Sequence, residues 1–223
     1  METLDRIPLR IGLEEVRAEL GNGDRDLVQR LLDKETSWIR PRAAYGVCRV
    51  TGKYDRAAVV DGVLLKSRVL AHHLKNGMRV FPFVVTIGRG LESRADATKE
   101  LPARSCLHTI GNLALNKARR YLKNYLKKHS AHARLSHLSP GSLKDWPLEA
   151  QRPLFSILKG AERAIGVQLT HRLLMNPTKS VSGIFFPTET PFESCQLCPR
   201  DPCQGRRAPH NADLVKKYGI DSL

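Results

Sequence analysis

Apolar positions recur at steps of three and four from Pro102 to Lys128. Leu107, Gly111, Ala114, Ala118, Tyr121 and Tyr125 lie on one stripe, which predicts a long amphipathic helix. Shorter patterns surround it. IPLRI (7–11) alternates like an edge strand. GLEEVRAEL then reads as a helix stopped by the GNG at 21–23. Asp24 caps DRDLVQRLLDKETSWI, where Leu27, Leu31 and Leu32 share a face, and Pro41 ends that element. RAAYGVCRV (42–50) and AAVVDGVLL (57–65) are rich in β-branched residues and predict strands. KSRVLAHHLK predicts a short helix ending before Gly77, and RVFPFVVTIG (79–88) a buried strand running into a helix near Gly88. After the long helix, ARLSHL (133–138) predicts a strand and SPGSLKDWP a loop. LEAQRPLFSILKGAERAIG predicts a further helix. VQLTHRLLMNPTKSVSGIFFP predicts two extended segments around Asn176-Pro177. The periodicity stops after Pro187, so the expected organisation is an α+β body over 1–186 and a basic, cysteine-containing tail over 187–223.

The 223 residues are 41% hydrophobic, enough for one good core, and the 26% of charged residues suits a globular chain rather than a disordered one. No run of roughly eighteen apolar residues predicts a membrane span. METLDRIPLRI lacks the basic-then-apolar layout of a signal peptide, so the expected location is cytoplasmic. The net charge of +15 favours acidic partners. Aromatic residues make up only 6% of the chain, which argues against a single-strand nucleic-acid binder built on stacked bases. Lys117, Arg120, Lys123, Lys127 and Lys128 lie off the apolar stripe and read as a solvated helix face.

Three stretches carry local chemistry. TIGRGLESR (86–94) ends a strand on a glycine at the start of a helix, which suits either an anion on free backbone N–H groups or simply a tight junction. In LSPGSLKDWPLEAQ (138–151), Pro140-Gly141 has the chemistry of a type II turn and Asp145 is placed to start the next helix. In LLMNPTKSVSGIFF (173–186), Lys179, Ser180 and Ser182 alternate with apolar residues like the polar face of a half-buried strand.

Taken together, TIG, IGNLALNKARRYL, SPGS-x-x-DWPLEAQ and LT-x-x-LLMNP-x-KSVSGI follow one another in an order that resembles the activation domain of vitamin B12-dependent methionine synthase. The likeness is to the stand-alone bacterial proteins that share that domain, and it spans roughly Pro41 to Phe186. It implies an α+β fold with an antiparallel β-sheet and flanking helices. It also implies binding of S-adenosylmethionine and support for reductive methylation of inactive cob(II)alamin, with flavodoxin as the electron donor. The family's S-adenosylmethionine loop reads Arg-x-x-x-Gly-Tyr. Here Gly141 matches the glycine, His137 stands at the arginine position and Ser142 at the tyrosine position, so the implied cofactor-binding residues are His137, Ser139, Gly141 and Ser142. A usually neutral imidazole does not replace a guanidinium that grips a carboxylate. The family's long helix also offers a glutamate to the cofactor's amino group. This one has no acidic residue from Leu107 to Lys128, and Asn116 or Arg120 falls near that place.

The tail holds three of the five cysteines, Cys195, Cys198 and Cys203, in the pattern C-x2-C-x4-C. Three soft thiolates in one loop suit a structural zinc or an iron-sulfur cluster, and the spacing does not choose between them. His210 is the nearest fourth ligand, with Cys48 and Cys106 available if folding brings them near. Arg200, Arg206 and Arg207 would favour thiolates. No residue stands out as a general acid, base or nucleophile. The expected function is maintenance of a cobalamin-dependent methyltransferase or corrinoid protein, with cobalamin carried by the partner and the basic surface suited to an acidic electron donor. Two alternatives stay open: a scaffold that binds the corrinoid protein without S-adenosylmethionine, and a nucleic-acid-binding protein with a zinc-stabilised tail.

Overall fold

The computed structural model describes residues 1–130, 132–203 and 205–220. Its elements, in chain order, are β1 (Glu2–Leu4), α1 (Leu13–Glu19), α2 (Arg25–Glu35), β2 (Arg42–Tyr45), β3 (Cys48–Tyr54), β4 (Ala57–Val60), β5 (Val63–Lys66), α3 (Arg68–His73), β6 (Arg79–Thr86), α4 (Gly90–Ala97), α5 (Leu101–His129), β7 (Leu135–Leu138), α6 (Gln151–Ile157), α7 (Ala161–Ile165), β8 (Gln168–Leu169), β9 (Met175–Asn176), β10 (Ser180–Pro187) and α8 (Ala212–Tyr218). This is the α+β class that the sequence predicts, with an antiparallel sheet and flanking helices.

The most apolar strand, β6, is the middle of the sheet. One edge pairs with β10, from Ser180 opposite Thr86 to Phe185 opposite Phe81. The other pairs first with β2 (Tyr45 opposite Phe83) and then with β3 (Cys48 opposite Val80). Between β2 and β3 the chain kinks at Gly46 and Val47. Pro82 sits beside that kink and accepts from the Gly46 N–H at 2.9 Å. In a strand the N–H and C=O of one residue point the same way, so the donor that proline lacks would aim at the kink, where no ladder bond is lost. β1 extends the sheet beyond β2, and β7 pairs with β10. Strands β3, β4 and β5 leave as a ribbon whose last hairpin turns on Asp61 and Gly62, both at positive φ.

Alternation along β6 divides the core. Phe81, Phe83 and Val85 face α5 together with Phe185, Tyr45 and Leu135. Val80 on the other face packs with Leu138, Ile184, Phe186, Trp146 and the apolar side of α3 and α6. Phe192, Leu197, Val215 and Tyr218, all from beyond Pro187, are buried in that second cluster. The buried stripe of α5 follows Leu107, Gly111, Ala114 and Ala118 as the pattern predicts, then continues through Leu122 and Leu126. Tyr121 is exposed, because 3.6 residues per turn carries it past the seam. Among the described residues no helix is long and apolar enough to cross a membrane.

Three expectations are corrected. Residues 7–11 form no strand: Pro8 interrupts the donors, and Ile7 donates to the Pro41 carbonyl instead. The helix expected over LEAQRPLFSILKGAERAIG is two helices, α6 and α7, broken at Gly160 with φ of 91°. Ser180 and Ser182 do not form a solvent-facing polar side: both are buried, and their hydroxyls find partners inside the protein. Ser180 Oγ donates to the Pro177 carbonyl at 2.7 Å, and Ser182 Oγ to Gln151 Oε1 at 3.4 Å.

Gly183 is a required glycine of the sheet. A Cβ there would stand 2.5 Å from the Leu138 carbonyl oxygen and 2.9 Å from Ser139 Oγ, so the end of β7 would have to move. We expect Gly183→Ala to destabilise the protein by about 1–3 kcal/mol, the usual cost of overpacking. An unchanged midpoint of urea unfolding would contradict this packing.

His73 supplies a pH-dependent contribution. Its ring lies among Phe186, Phe192 and Tyr218, and Tyr218 Oη is 3.0 Å from its Nε2. Burial, then the positive charge at His72 and Lys217, pulls its pKa down to about 4. The unfolded chain, with an ordinary histidine pKa of about 6.5, binds more protons between these limits. This contribution is therefore complete above the higher value and is lost as pH falls towards the lower one. The difference in unfolding free energy between wild type and His73→Phe should shrink as pH falls from neutrality through this window. A difference that does not vary with pH would refute the assignment.

Candidate functional site

The residues singled out by sequence meet at the end of β7. His137 lies opposite Phe185 in the β10 register and is buried on the α5 side of the sheet. The chain then leaves the strand. Gly141 adopts φ of 81° and donates to the Trp146 carbonyl at 2.8 Å. Ser142 folds back on Ser139, whose carbonyl accepts from Ser142 N–H at 3.1 Å and from Ser142 Oγ at 2.6 Å. Trp146 is fully buried and anchors the loop. Asp145 does not start the next helix. Its carboxylate instead accepts from Arg68 N–H at 3.0 Å, Val69 N–H at 3.1 Å and Ser67 Oγ, which caps α3. A carboxylate at a helix start gains from both the free donors and the helix dipole.

His137 has a partner that the sequence pattern passes over. Arg119, from α5, places Nη1 2.7 Å from His137 Nε2. A guanidinium only donates, so Nε2 accepts and the imidazole is neutral with its proton on Nδ1. The electrostatics agree. Burial first, then Arg119, Arg207 and Lys123, hold the His137 pKa well below its ordinary value. Burial also pulls Arg119 down to about 10. Lys123, one turn further along α5, is depressed for the same first reason, and Glu193 opposes the shift in both. Arg119 and Lys123 stand at i and i+4 beside the buried Ala118 and Leu122. That flank position was the signal for a half-buried cationic pair. Asn116 and Arg120, the residues nearest the expected glutamate position, are both exposed.

The segment after β10 returns to this place. Phe192 N–H donates to Ser136 Oγ on β7 at 3.0 Å, and Glu193 accepts from Arg207 Nε at 3.1 Å. Arg207 N–H approaches Cys195 Sγ at 3.4 Å. Arg206 donates to the carbonyls of Cys195 and Ala208 at 3.3 Å and of Cys198 at 3.4 Å, which fastens the loop through its backbone. Cys195, Cys198 and Cys203 are half-buried and unbridged. Among the described residues, no three His, Cys, Asp or Glu side chains are gathered as ligands of a metal ion. His210 is exposed. Cys48 and Cys106 are buried thiols whose pKa values burial raises to about 12 and about 11. Cys106 lies in a separate cluster around the start of α5.

The other motifs have structural explanations. A Cβ at Gly90 would stand 2.6 Å from the Trp38 carbonyl oxygen, so the close junction alone accounts for this glycine of TIGRG. Lys179 Nζ donates to Asn112 Oδ1 at 2.7 Å, and its stem lies over Gly111. Lys117 pairs with Glu15 at 2.5 Å and donates to the Arg10 carbonyl, so this part of the basic helix face is used internally.

The chain is similar to the crystal structure of the MetH reactivation domain bound to AdoHcy, with a TM-score of 0.58 and 16% identity over 93% of this chain and 74% of that one. The two share a fold. No family model and no curated protein matches the chain. The MetH reactivation domain is thus a guide to architecture, and the residues at the end of β7 must be read from this chain.

Replacing Arg119 by Met removes a positive charge from His137 and keeps most of the apolar stem. The imidazole should then titrate at higher pH, yet still below an ordinary histidine, because burial is the larger cause. An NMR titration of the ring measures this. An unchanged midpoint would place the control of His137 elsewhere.

Proposed function

We propose that this protein is a maintenance factor for a cobalamin-dependent methyltransferase, docking on the partner's corrinoid domain and supporting its return from the inactive cob(II)alamin state. The observation that carries the reading is the fold shared with the MetH reactivation domain over 93% of the chain. The motif order SPGS-x-x-DWPLEAQ and KSVSGI adds support, since it places Gly141 at the end of β7 and Gly183 on the adjoining strand. Reductive methylation gives the cobalt one electron from an external donor and a methyl group from S-adenosylmethionine. This chain's part in that reaction is positioning: β7, the Ser139–Ser142 turn and the arginine-flanked loop form the surface presented to the partner. The net charge of +15 supports an acidic corrinoid protein or electron donor.

A specific observation favours a second reading, a corrinoid-protein scaffold that does not use S-adenosylmethionine. The position that would grip the carboxylate holds a neutral imidazole already bonded to Arg119, and Ser142 is turned back onto Ser139. The direct experiment adds the protein to a corrinoid protein poised as cob(II)alamin, with a low-potential reductant and S-adenosylmethionine. The expected result is faster formation of methylcobalamin. No change in rate with any candidate corrinoid partner would sink the maintenance reading. Thermal denaturation separates the two readings. A ligand at about one hundred times its Kd adds about 2.7 kcal/mol, so an unmoved Tm at saturating S-adenosylmethionine selects the scaffold. An anaerobic preparation analysed for iron, sulfide and zinc decides whether Cys195, Cys198 and Cys203 acquire a metal.

A further inference from the structure

The β3–β4–β5 ribbon has an outer face that the core does not use. Its register aligns Tyr54 with Ala57 and Lys66 in one cross-strand row, and Gly52 with Val59 and Leu64 two rows along, on the same face. Side chains in one row point to the same side of a sheet. The result is an apolar floor of Tyr54, Val59 and Leu64 on the solvent side, with Tyr54 62% and Leu64 42% exposed. Where the ribbon meets α3, this floor becomes one wall of a cavity of about 750 Å³. Its rim carries three cations, Arg56, Lys66 and Arg68, and one carboxylate, Asp145. That carboxylate is occupied with the α3 cap. Among the described residues none of the three cations belongs to an ion pair.

An apolar floor beneath a rim with positive charge in excess selects a particular chemistry. A neutral apolar molecule would gain from the floor alone, and a small inorganic anion from the rim alone. A molecule with a flat apolar body and an anionic group gains from both, and Tyr54 adds an aromatic face for the body to stack on. We propose that this cavity is a binding site for a small aromatic anion, its ring system on Tyr54, Val59 and Leu64 and its charged group between Arg56 and Lys66. The proposal does not depend on the corrinoid reading, because the cavity shares no residue with His137, Ser139, Gly141 or Ser142.

The test uses anilinonaphthalene sulfonate, which fluoresces when its rings leave water, and N-phenylnaphthylamine, which has the same rings without the charge. The full chain should bind the sulfonate saturably and the neutral amine at least about fivefold more weakly, the worth of one or two partly exposed ion pairs. Affinity for the sulfonate should fall with added salt, which screens exposed charges. The double variant R56E/K66E should lose about fivefold or more for the sulfonate and little for the amine. Leu64→Ser should weaken both. All these side chains are exposed, and urea unfolding checks that each variant keeps its fold. Three results would each overturn the site: no saturable binding of the sulfonate, equal binding of the amine, or an affinity within about twofold of wild type in folded R56E/K66E, which is the scatter of an inert surface change.

Discussion

The pairing of β6 along both edges is the constraint on which the other elements depend. One edge must accept β10 over six residues, and the other must take two short strands in succession. Pro82 makes the second edge discontinuous, and Gly46 supplies the donor that keeps the kink attached. That break sends β3 away from the sheet and creates the ribbon with its free outer face. The intact edge carries β10, which in turn holds β7. The close approach at Gly183 then fixes where β7 ends and the Ser139–Ser142 turn begins.

The end of β7 is an electrostatic problem solved locally. Arg119, Lys123 and Arg207 face His137, with Glu193 as the opposing carboxylate. In a low-dielectric setting such a group of cations is costly, and less so if the imidazole remains uncharged. Arg119 serves this through one contact: donating to Nε2 gives the guanidinium an acceptor and keeps a second proton off the ring. Glu193 binds Arg207 and so draws the cysteine loop against the same place. The loop's position follows from the burial of Phe192 and Leu197 and the Phe192–Ser136 bond, to which the Glu193–Arg207 pair adds.

What was legible in the sequence was whatever a local period or a short motif could carry. The stripe on α5 and the two punctuating glycines at 21 and 23 follow from spacing, and β6 from its apolar run, whereas RAAYGVCRV and AAVVDGVLL each read as one strand and fold as two, β2 with β3 and β4 with β5. The fold class followed from the order of motifs along the chain. Contacts across long sequence separations were not legible. Asp145 reads locally as the start of a helix and instead caps one 77 residues earlier, because its carboxylate is a better partner for the bare N–H groups of α3 than for its own neighbours. Arg119 goes unremarked among the charges of a basic helix. Its role depends on β7 arriving beneath it, and nothing in the helix itself reports that. Phe192 and Tyr218 lie in polar sequence without periodicity, yet a single aromatic needs no period to be buried where Phe186 and His73 leave space.

The loop from Ser139 to Trp146 gives these separate features a common mechanical base. At one end Gly141 and Ser142 turn the chain beside His137. Towards the other end Asp145 is locked to α3 at the rim of the ribbon cavity, and Trp146, the next residue, is sunk in the core. A segment pinned at three points has few low-energy ways to move. The cap cannot be released without freeing two α3 N–H groups and the Ser67 hydroxyl, and Trp146 cannot shift without opening the cluster that holds Leu138 and Ile184. The positions of His137 and of the cavity rim are thus set by the same short stretch. This explains on physical grounds why so many of the chain's distinctive residues fall within SPGSLKDW: the turn glycine, the capping carboxylate and the buried indole each fix one end or the middle of a single rigid connection.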